Sequence, residues 1–217
     1  QELHLIDDVE INFGPSKVTA AQLDIYHGGE LIEGHGGVKT FTKDLKTQDS
    51  VAISAREVQY KPSIHYFEYK DNVIGKISRK RVYEEGINFA SDKIAFQGQE
   101  GILNLLGHVQ LNRSNLKASS NKGTIFLENY NKNLKYYALS DDVRLEETIN
   151  MKGSSIQRRA FAEKLESVVS DRTIVLTGLP KVFQGRDVIK GNRIIIRENV
   201  ETVEVDDANT NIILKRN

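Results

Sequence analysis

The chain has no cysteine and no tryptophan, and only three prolines and one methionine among its 217 residues. The lack of cysteine excludes disulfides, thiol catalysis and Cys-ligated zinc or iron–sulfur clusters. Apolar runs do not exceed four residues, as in 136–139, whereas a membrane-spanning helix needs about 20. A signal-peptide h-region is also lacking, so we expect any targeting segment to be absent from this chain or removed before its first residue.

A charge imbalance is lacking as well, since 30 Lys and Arg balance 30 Asp and Glu. The zero net charge argues against a nucleic-acid-binding protein that depends on a strong basic field. Apolar residues make up 39% of the chain, below the roughly 45–50% of average globular proteins. We therefore expect a thin or split core in one large all-β domain or two small ones.

A seven-residue sequence motif, which we call a phrase, recurs along the chain. Its first and third positions are apolar, its fifth is usually Gly or Asp, and its seventh is Val. Clear copies are 67–73, 103–109 and 137–143, a weaker copy is 32–38, and 174–182 is two residues longer. Four copies are preceded by a small residue with an apolar residue three positions later, and these small residues are Ala20, Ala55, Ser91 and Ala162. The fourth unit, with the copy 137–143, is irregular: Ala118 opens it, but its apolar anchor is poor and its loop is longer. Gly191 opens a last, partial unit.

The spacing supports a true repeat. The interval is 18 residues from Ala20 to Val38, from Ala55 to Val73 and from Ser91 to Val109. It is 20 residues from Ala162 to Val182, where the longer copy occurs.

The phrases predict β-strands, because their apolar residues alternate with a period of two. Gly107, Asp71 and Asp141 occupy the same slot, and Gly and Asp tolerate the unusual backbone angles of a bulge or bend. We interpret Gly28–Gly29 and Gly36–Gly37 as hairpin glycines. Residues 160–169 have helical spacing, but Ala162 and Leu165 align with the repeat, so we predict a strand there. No linker divides the chain, which predicts one repeat-built β domain over residues 1–217.

Residues capable of catalysis or metal binding occur without a recognised spacing. The chain has five histidines; His27 and His35 lie near each other but form no zinc-binding motif. Acidic pairs occur at 7–8, 141–142 and 206–207. Adjacent strand residues point to opposite faces, so we interpret these pairs as turn residues rather than as acid–base couples. The sequence predicts no enzyme, no cofactor and no metal site.

The stacked units predict three apolar ladders. They align residues that share a position in the repeat: Leu23, Val58, Ile94, Leu165 and Ile194; Phe67, Leu103, Tyr137 and Ile174; and Val38, Val73, Val109, Val143 and Val182. Such ladders fit an ordinary β core and equally an elongated apolar trough that holds an acyl chain, because both have the same alternation.

Residues 162–194 contain motifs that resemble those of a known protein family. The stretches Leu176-Thr-Gly178 and Ile189-Lys-Gly-Asn-Arg-Ile194 resemble the phrases I-x-L-x-G-x-V and I-x-G-x-x-I. These phrases recur in the OstA-like periplasmic bridge proteins of lipopolysaccharide transport, a family with LptA and LptC as members. Units 55–73 and 91–109 resemble looser repeats of that family, and the resemblance extends from about Val18 to Leu214.

The resemblance implies an elongated, open and twisted β-jelly roll, V-shaped, with two antiparallel sheets. It implies a periplasmic protein that carries lipopolysaccharide from the inner to the outer membrane without catalysis. It also implies edge-strand pairing with other jelly-roll proteins of the bridge, with an inner-membrane transporter complex and further copies of the chain as additional candidate partners. An inner-membrane anchor would then lie in a segment missing here. We hypothesise an LptC-like part over about 1–115 and an LptA-like part over about 116–217.

The candidate lipid-binding residues are the apolar ones that would line the trough. They are Val58, Phe67, Val73, Ile94, Leu103, Leu105, Val109, Leu139, Val143, Leu165, Ile174, Leu176 and Val182.

Two other functions fit the same pattern. One is a carbohydrate-binding or carbohydrate-active β-solenoid or jelly roll, which the lack of Trp and the 7% aromatic content disfavour. The other is a structural adaptor that polymerises through its edge strands without carrying lipid.

Overall fold

A computed structural model describes residues 2–13, 16–43, 49–80, 86–128, 133–151 and 154–206. The long strands are β1 (Leu3–Phe13), β2 (Ser16–Tyr26), β3 (Leu31–Lys43), β4 (Ser50–Lys61), β5 (Tyr66–Ser78), β6 (Ile87–Gln97), β7 (Ile102–Arg113), β8 (Leu116–Glu128), β9 (Asn133–Met151) and β10 (Ser154–Val168). The short strands are β11 (Thr173–Thr177), β12 (Lys181–Gln184), β13 (Asp187–Lys190), β14 (Arg193–Arg197) and β15 (Val203–Asp206). A 3-10 turn spans Pro62–Ile64. Over these residues we find no helix with the length and apolar character to cross a bilayer.

The strands form one open, antiparallel, 15-stranded sheet, in which β1 to β11 pair in chain order and β14 and β15 follow. The sheet divides at β10: residues 164–168 pair with β11, and residues 158–161 pair with β12. The expected all-β architecture of an open jelly roll is confirmed. The segment with helical spacing is also confirmed as a strand, since it belongs to β10.

The long odd-numbered strands bend in the middle, where each has two consecutive residues with positive φ. These dipeptides are 7–8, 36–37, 71–72, 107–108 and 141–142. Each faces a single residue of a neighbouring strand, and these single residues are Ala21, Arg56, Asp92, Asn121 and Glu163. The two-against-one arrangement is a β-bulge, which sharpens strand twist and bending. We call this line of bulges the crease.

The slot shared by Asp71, Gly107 and Asp141 is therefore confirmed as a bend. The interpretation of Gly36–Gly37 as hairpin glycines is wrong, because they lie inside β3 at the crease. A Cβ on Gly36 would lie 2.8 Å from the Cβ of Ala21 on the next strand, so the close approach of two strands also favours glycine there. Gly28–Gly29 do lie in the turn between β2 and β3.

The crease divides the sheet into two arms. In β7, residues 102–106 belong to the first arm and residues 109–113 to the second. Alternate side chains of both arms point into one apolar cluster. The inner faces meet directly near the crease, where a Cβ on Gly123 of the first arm would lie 3.1 Å from Val109 Cγ1 of the second. The whole core thus lies between the arms.

Candidate functional site

The candidate lipid-binding residues all lie in the apolar cluster between the arms. Those of the first arm are Val58, Phe67, Ile94, Leu103, Leu105, Leu139, Leu165, Ile174 and Leu176. Those of the second arm are Val73, Val109, Val143 and Val182. The fold brings these residues together because the bulges of neighbouring strands lie side by side along the crease. Inward-facing side chains of one strand therefore remain next to inward-facing side chains of the next strand. A lipid-binding role for them stays a prediction.

The interior is closed in this structure. Apart from the half-buried Phe67, none of the candidate residues is more than 4% exposed. The side chains fill the space between the arms, so an acyl chain could be accommodated only if the arms moved apart. A groove of about 460 Å³ is lined instead largely by outward-facing residues, including Lys93, Leu106 and Lys164.

An aromatic wall lies in the first arm beside these residues. The rings of Tyr60 and Phe67 stack with centroids 4.0 Å apart, and Tyr69 and Phe96 lie 6.0 and 6.3 Å from Phe67. Burial raises the pKa of the Tyr69 phenol. Sequence reasoning named only Phe67, because the wall depends on cross-strand register: Tyr60 and Phe96 both pair with Phe67.

A polar cluster lies where the free ends of the two arms meet, opposite the crease. The loop 198–201 follows β14 of the first arm, and the Glu198 N–H donates to the carbonyl of Arg172 at 2.9 Å. The Glu198 carboxylate then accepts a hydrogen bond of 2.9 Å from Arg113 Nη1 at the end of the second arm. Asn115 also donates to the Asn199 side chain. We call this meeting point the mouth.

A second buried ion pair holds the same loop by its backbone. Arg158 Nη1 donates to Glu147 Oε2 at 2.7 Å, and neither side chain is exposed. Arg158 Nη2 donates to the carbonyl of Val200 at 2.6 Å, and Glu147 Oε1 accepts from the Asn199 N–H at 2.7 Å. Burial lowers the pKa of Arg158, and the charge of Glu147 opposes this effect.

Two buried hydroxyls lie beside the mouth without a hydrogen-bond partner among the described residues. They belong to Tyr137 and Ser167, which face each other on β9 and β10. Burial raises the pKa of Tyr137 to about 12, the neighbouring Ser167 hydroxyl opposes this effect, and the charges of Glu198 and Arg113 act on the pKa in opposite directions.

A histidine-containing cluster lies on the outer face near the first strand. His4 Nδ1 lies 2.7 Å from Asp24 Oδ1, and His35 Nε2 lies 3.7 Å from Asp24 Oδ2. Hydrogen bonds from His4 and Gln22 lower the pKa of Asp24. Within the described ranges, no group of three or more His, Asp or Glu side chains is placed to hold a metal ion. His27 instead occupies the β2–β3 turn with a φ of 51°.

The acidic pairs have a backbone role where they are described. Asp7–Asp8 and Asp141–Asp142 are crease residues with positive φ. Asp206 ends β15, and Asp207 lies outside the described residues. The crease bends the strands, and the mouth joins the arms at the opposite end.

Comparisons with known proteins agree with this architecture. The model of the LptA/(LptD N-terminal domain) LPS transport protein family matches residues 88–202, more than half of the chain. The chain therefore belongs to this family. Among curated proteins, none matches the sequence.

A solved structure shows the same fold. It is LptH from Pseudomonas aeruginosa, described as the LptA homologous periplasmic component of a conserved lipopolysaccharide transport device. The TM-score is 0.51 with 17% sequence identity, over 60% of this chain and 89% of LptH. The family match begins before residue 115 and ends after it, and the division into LptC-like and LptA-like parts stays a prediction.

Proposed function

We propose that this protein is a periplasmic, non-enzymatic carrier of lipopolysaccharide that holds acyl chains between its two arms. The observation that carries the proposal is the single apolar cluster that runs between the inner faces from β2 to β14. Membership in a family of LPS transport proteins supports the same ligand.

The interior has the chemistry that acyl chains require. Its inner residues are mainly Val, Leu and Ile with an aromatic wall at one side. Each Å² of acyl surface removed from water contributes roughly 25 cal/mol. A ligand that replaces contacts between the arms with contacts to itself therefore keeps the inner faces out of water while its own chains become buried.

The edges of the sheet support a bridge between similar domains. In the described part of the chain, β1, β13 and β15 each pair with a strand on one side only. Inward-facing residues near these edges, such as Val9, Ile11 and Val205, are only partly buried. Unpaired strand edges are templates for strand addition, and an added strand would also complete the burial of these residues. We propose end-to-end pairing with other jelly-roll domains on this basis.

Photo-crosslinking tests the carrier role. A photoreactive residue is placed at Leu105 or Leu176 inside the cluster, and at the exposed Gln110 as a control, in lipopolysaccharide-producing cells. We expect lipopolysaccharide adducts at the two inner positions and none at Gln110. A folded protein without inner adducts would contradict the carrier role. A further probe at Asn104, which lines the outer groove, distinguishes lipid bound there, since adducts at Asn104 alone would place lipid in that groove.

A structural adaptor is the second candidate, because the same unpaired edges permit polymerisation without lipid. Concentration-dependent oligomers together with the absence of inner adducts would favour the adaptor.

A further inference from the structure

The outer face of the second arm carries cations and apolar side chains side by side on β10, β12 and β13. In the paired strands, Arg159 lies opposite Phe183, and Phe161 lies opposite Lys181. β13 continues both rows. Three of the six outward positions are cations and none is acidic, although the whole chain has zero net charge. We call these residues the basic patch: Arg159, Phe161, Lys181, Phe183, Val188 and Lys190.

The positive charge of the basic patch is held by an aromatic ring rather than by carboxylates. The Lys181 ammonium lies 4.8 Å from the centroid of the Phe183 ring, and the Arg159 guanidinium carbon lies 6.0 Å from it. Contact with a ring face attracts a cation without neutralising it. In the part of the chain that the structure describes, neither cation forms an ion pair with a carboxylate. The acidic residues that border the patch are Glu146, opposite Arg159 on β9, and Asp187, which begins β13.

The apolar members of the patch are more exposed than core residues. Phe161 is 41% exposed and Val188 is 37% exposed. The rings of Phe161 and Phe183 meet edge to face with centroids 6.0 Å apart, and this contact leaves much of Phe161 in water. Large apolar side chains that lie together on a surface mark interaction sites.

Leu179 adds a prominent apolar side chain beside the patch. It lies in the turn from β11 to β12, two residues before Lys181, and it is 84% exposed. Residues 178 and 179 both have positive φ, as the crease dipeptides do. In those dipeptides the second residue is Gly or polar: Asp8, Gly37, Asn72, His108 and Asp142. A bulky residue with positive φ is uncommon, and neither the backbone nor the core requires a leucine at position 179.

We propose that the basic patch and Leu179 bind the surface of a bilayer that contains anionic phospholipids. The Lys and Arg side chains contact lipid phosphates, while Leu179 and Phe161 enter the boundary between headgroups and acyl chains. A bilayer receives protruding apolar side chains without a preformed pocket, whereas the anchors of a protein interface fill pockets of the partner. A protruding leucine beside unneutralised cations therefore favours a bilayer. The inference is independent of lipid carriage, because it needs no ligand between the arms.

Co-sedimentation with lipid vesicles tests the patch. Vesicles with equal amounts of phosphatidylglycerol and phosphatidylcholine are compared with vesicles of phosphatidylcholine alone. We expect about tenfold tighter binding or more to the anionic vesicles at low salt, and we expect this preference to fall as salt is added. The variant Arg159→Gln/Lys181→Gln should weaken binding to the anionic vesicles by roughly tenfold or more, with unchanged β-sheet circular dichroism.

The matched control removes two cations from the outer face of the first arm. The side chains of Lys93 and Lys122 are 40% and 60% exposed, and Lys93→Gln/Lys122→Gln should keep most of the vesicle binding. Equal loss in both double variants would reduce the effect to net charge and overturn the patch. Equal binding of the native protein to both kinds of vesicle would also overturn it, because uptake of acyl chains between the arms needs no anionic headgroup.

The absence of cysteine from the chain permits a direct test of insertion. A single cysteine replaces Leu179, or the exposed Asn12 at the opposite end of the sheet as a control, and carries a dye whose emission depends on polarity. Anionic vesicles should shift the emission to the blue at position 179 and not at position 12. Vesicle binding without a shift at position 179 would overturn insertion. A protein that ignores vesicles but binds poly-glutamate through Arg159 and Lys181 would overturn the bilayer and assign the patch to an acidic protein.

Discussion

Glu147 and Arg158 form an ion pair with 2.7 Å between Oε2 and Nη1, and neither side chain is exposed to solvent. Arg158 Nε also donates to Gln184 Oε1 at 2.8 Å. The pair thereby joins β9 and β10 to β12 and, through Val200, to the loop 198–201. One buried guanidinium thus organises the free end of the second arm and the loop that covers it.

Loss of one partner of this pair should be costly. We expect Arg158→Met to lower the free energy of unfolding by about 3–5 kcal/mol, because Glu147 would remain buried without a counter-charge. The double variant Glu147→Leu/Arg158→Met should recover much of that loss. Urea denaturation followed by circular dichroism measures both. The control is Arg193→Met, which breaks an exposed pair with Asp206, and an equal loss there would contradict this reasoning.

The second arm also contains a tight contact between a glycine and an aromatic ring. A Cβ on Gly75 would lie 2.1 Å from the Phe89 ring, which is 1% exposed. Because the ring has no room to move, we expect Gly75→Ala to lower the free energy of unfolding by about 1–3 kcal/mol.

Two variants identify the cause of that loss. Phe89→Leu should restore part of the stability of Gly75→Ala, since the smaller side chain removes the overlap. Gly185→Ala is the comparison for backbone strain alone: its Cβ would meet nothing within 4 Å, but its φ is +59°, so Phe89→Leu should not change its effect. If Phe89→Leu fails to rescue Gly75→Ala, the overlap is not the source of the loss.

The strands and the crease could be predicted from sequence because both depend on local properties. Alternation with period two identifies strands, and Asp71, Gly107 and Asp141 mark positions that need positive φ. The hairpin prediction for Gly36–Gly37 is wrong because two consecutive glycines fit a hairpin and a bulge equally well.

The mouth could not be predicted in this way. Arg113 and Glu198 are 85 positions apart, and their contact depends on how far the arms close. Sequence alternation also leaves the role of residues such as Leu103 open, since a filled core and a lipid-binding interior require the same apolar side chains. That choice depends on whether the arms open, which local patterns do not encode.

Low pH should destabilise the folded protein through Glu68, which lies on the outer face of the first arm. Burial alone would raise the pKa of this carboxyl, but hydrogen bonds from Lys93, Tyr66 and Lys70 outweigh it and lower the pKa to about 2. The folded value lies below the unfolded value of about 4.3, so the unfolded chain binds more protons between these limits. The contribution of the Glu68 carboxylate to the free energy of unfolding is complete above about pH 5, and it declines as the pH falls toward 2.

The variant Glu68→Gln removes this titration. At pH 7 we expect it to be less stable than the native protein by roughly 1–3 kcal/mol. The difference should shrink as the pH falls from 5 to 2, which urea denaturation at several pH values measures. Glu57→Gln, on the same face, is the control. A difference that stays constant with pH would exclude Glu68 as the acid-sensitive group.

The edge of β1 that pairs with no other described strand gives the last prediction, which depends on the proposed end-to-end pairing. Ile11 of β1 is only partly buried against the apolar cluster. A strand added beside β1 would bury position 11 further, and a buried lysine without a partner is costly. Ile11→Lys should therefore weaken association, which sedimentation velocity over a range of concentrations measures.

Asn12→Lys provides the matched control, because it adds the same charge at the next residue, which is exposed. An inward-pointing charge at a sheet edge opposes edge-to-edge association, and a lysine at position 11 would in addition be buried by the added strand, whereas one at position 12 would not. Association should therefore fall with Ile11→Lys and persist with Asn12→Lys, while both monomers keep their β-sheet circular dichroism. Equal loss in both variants would indicate a general charge effect, and no loss in either would place the contact away from β1.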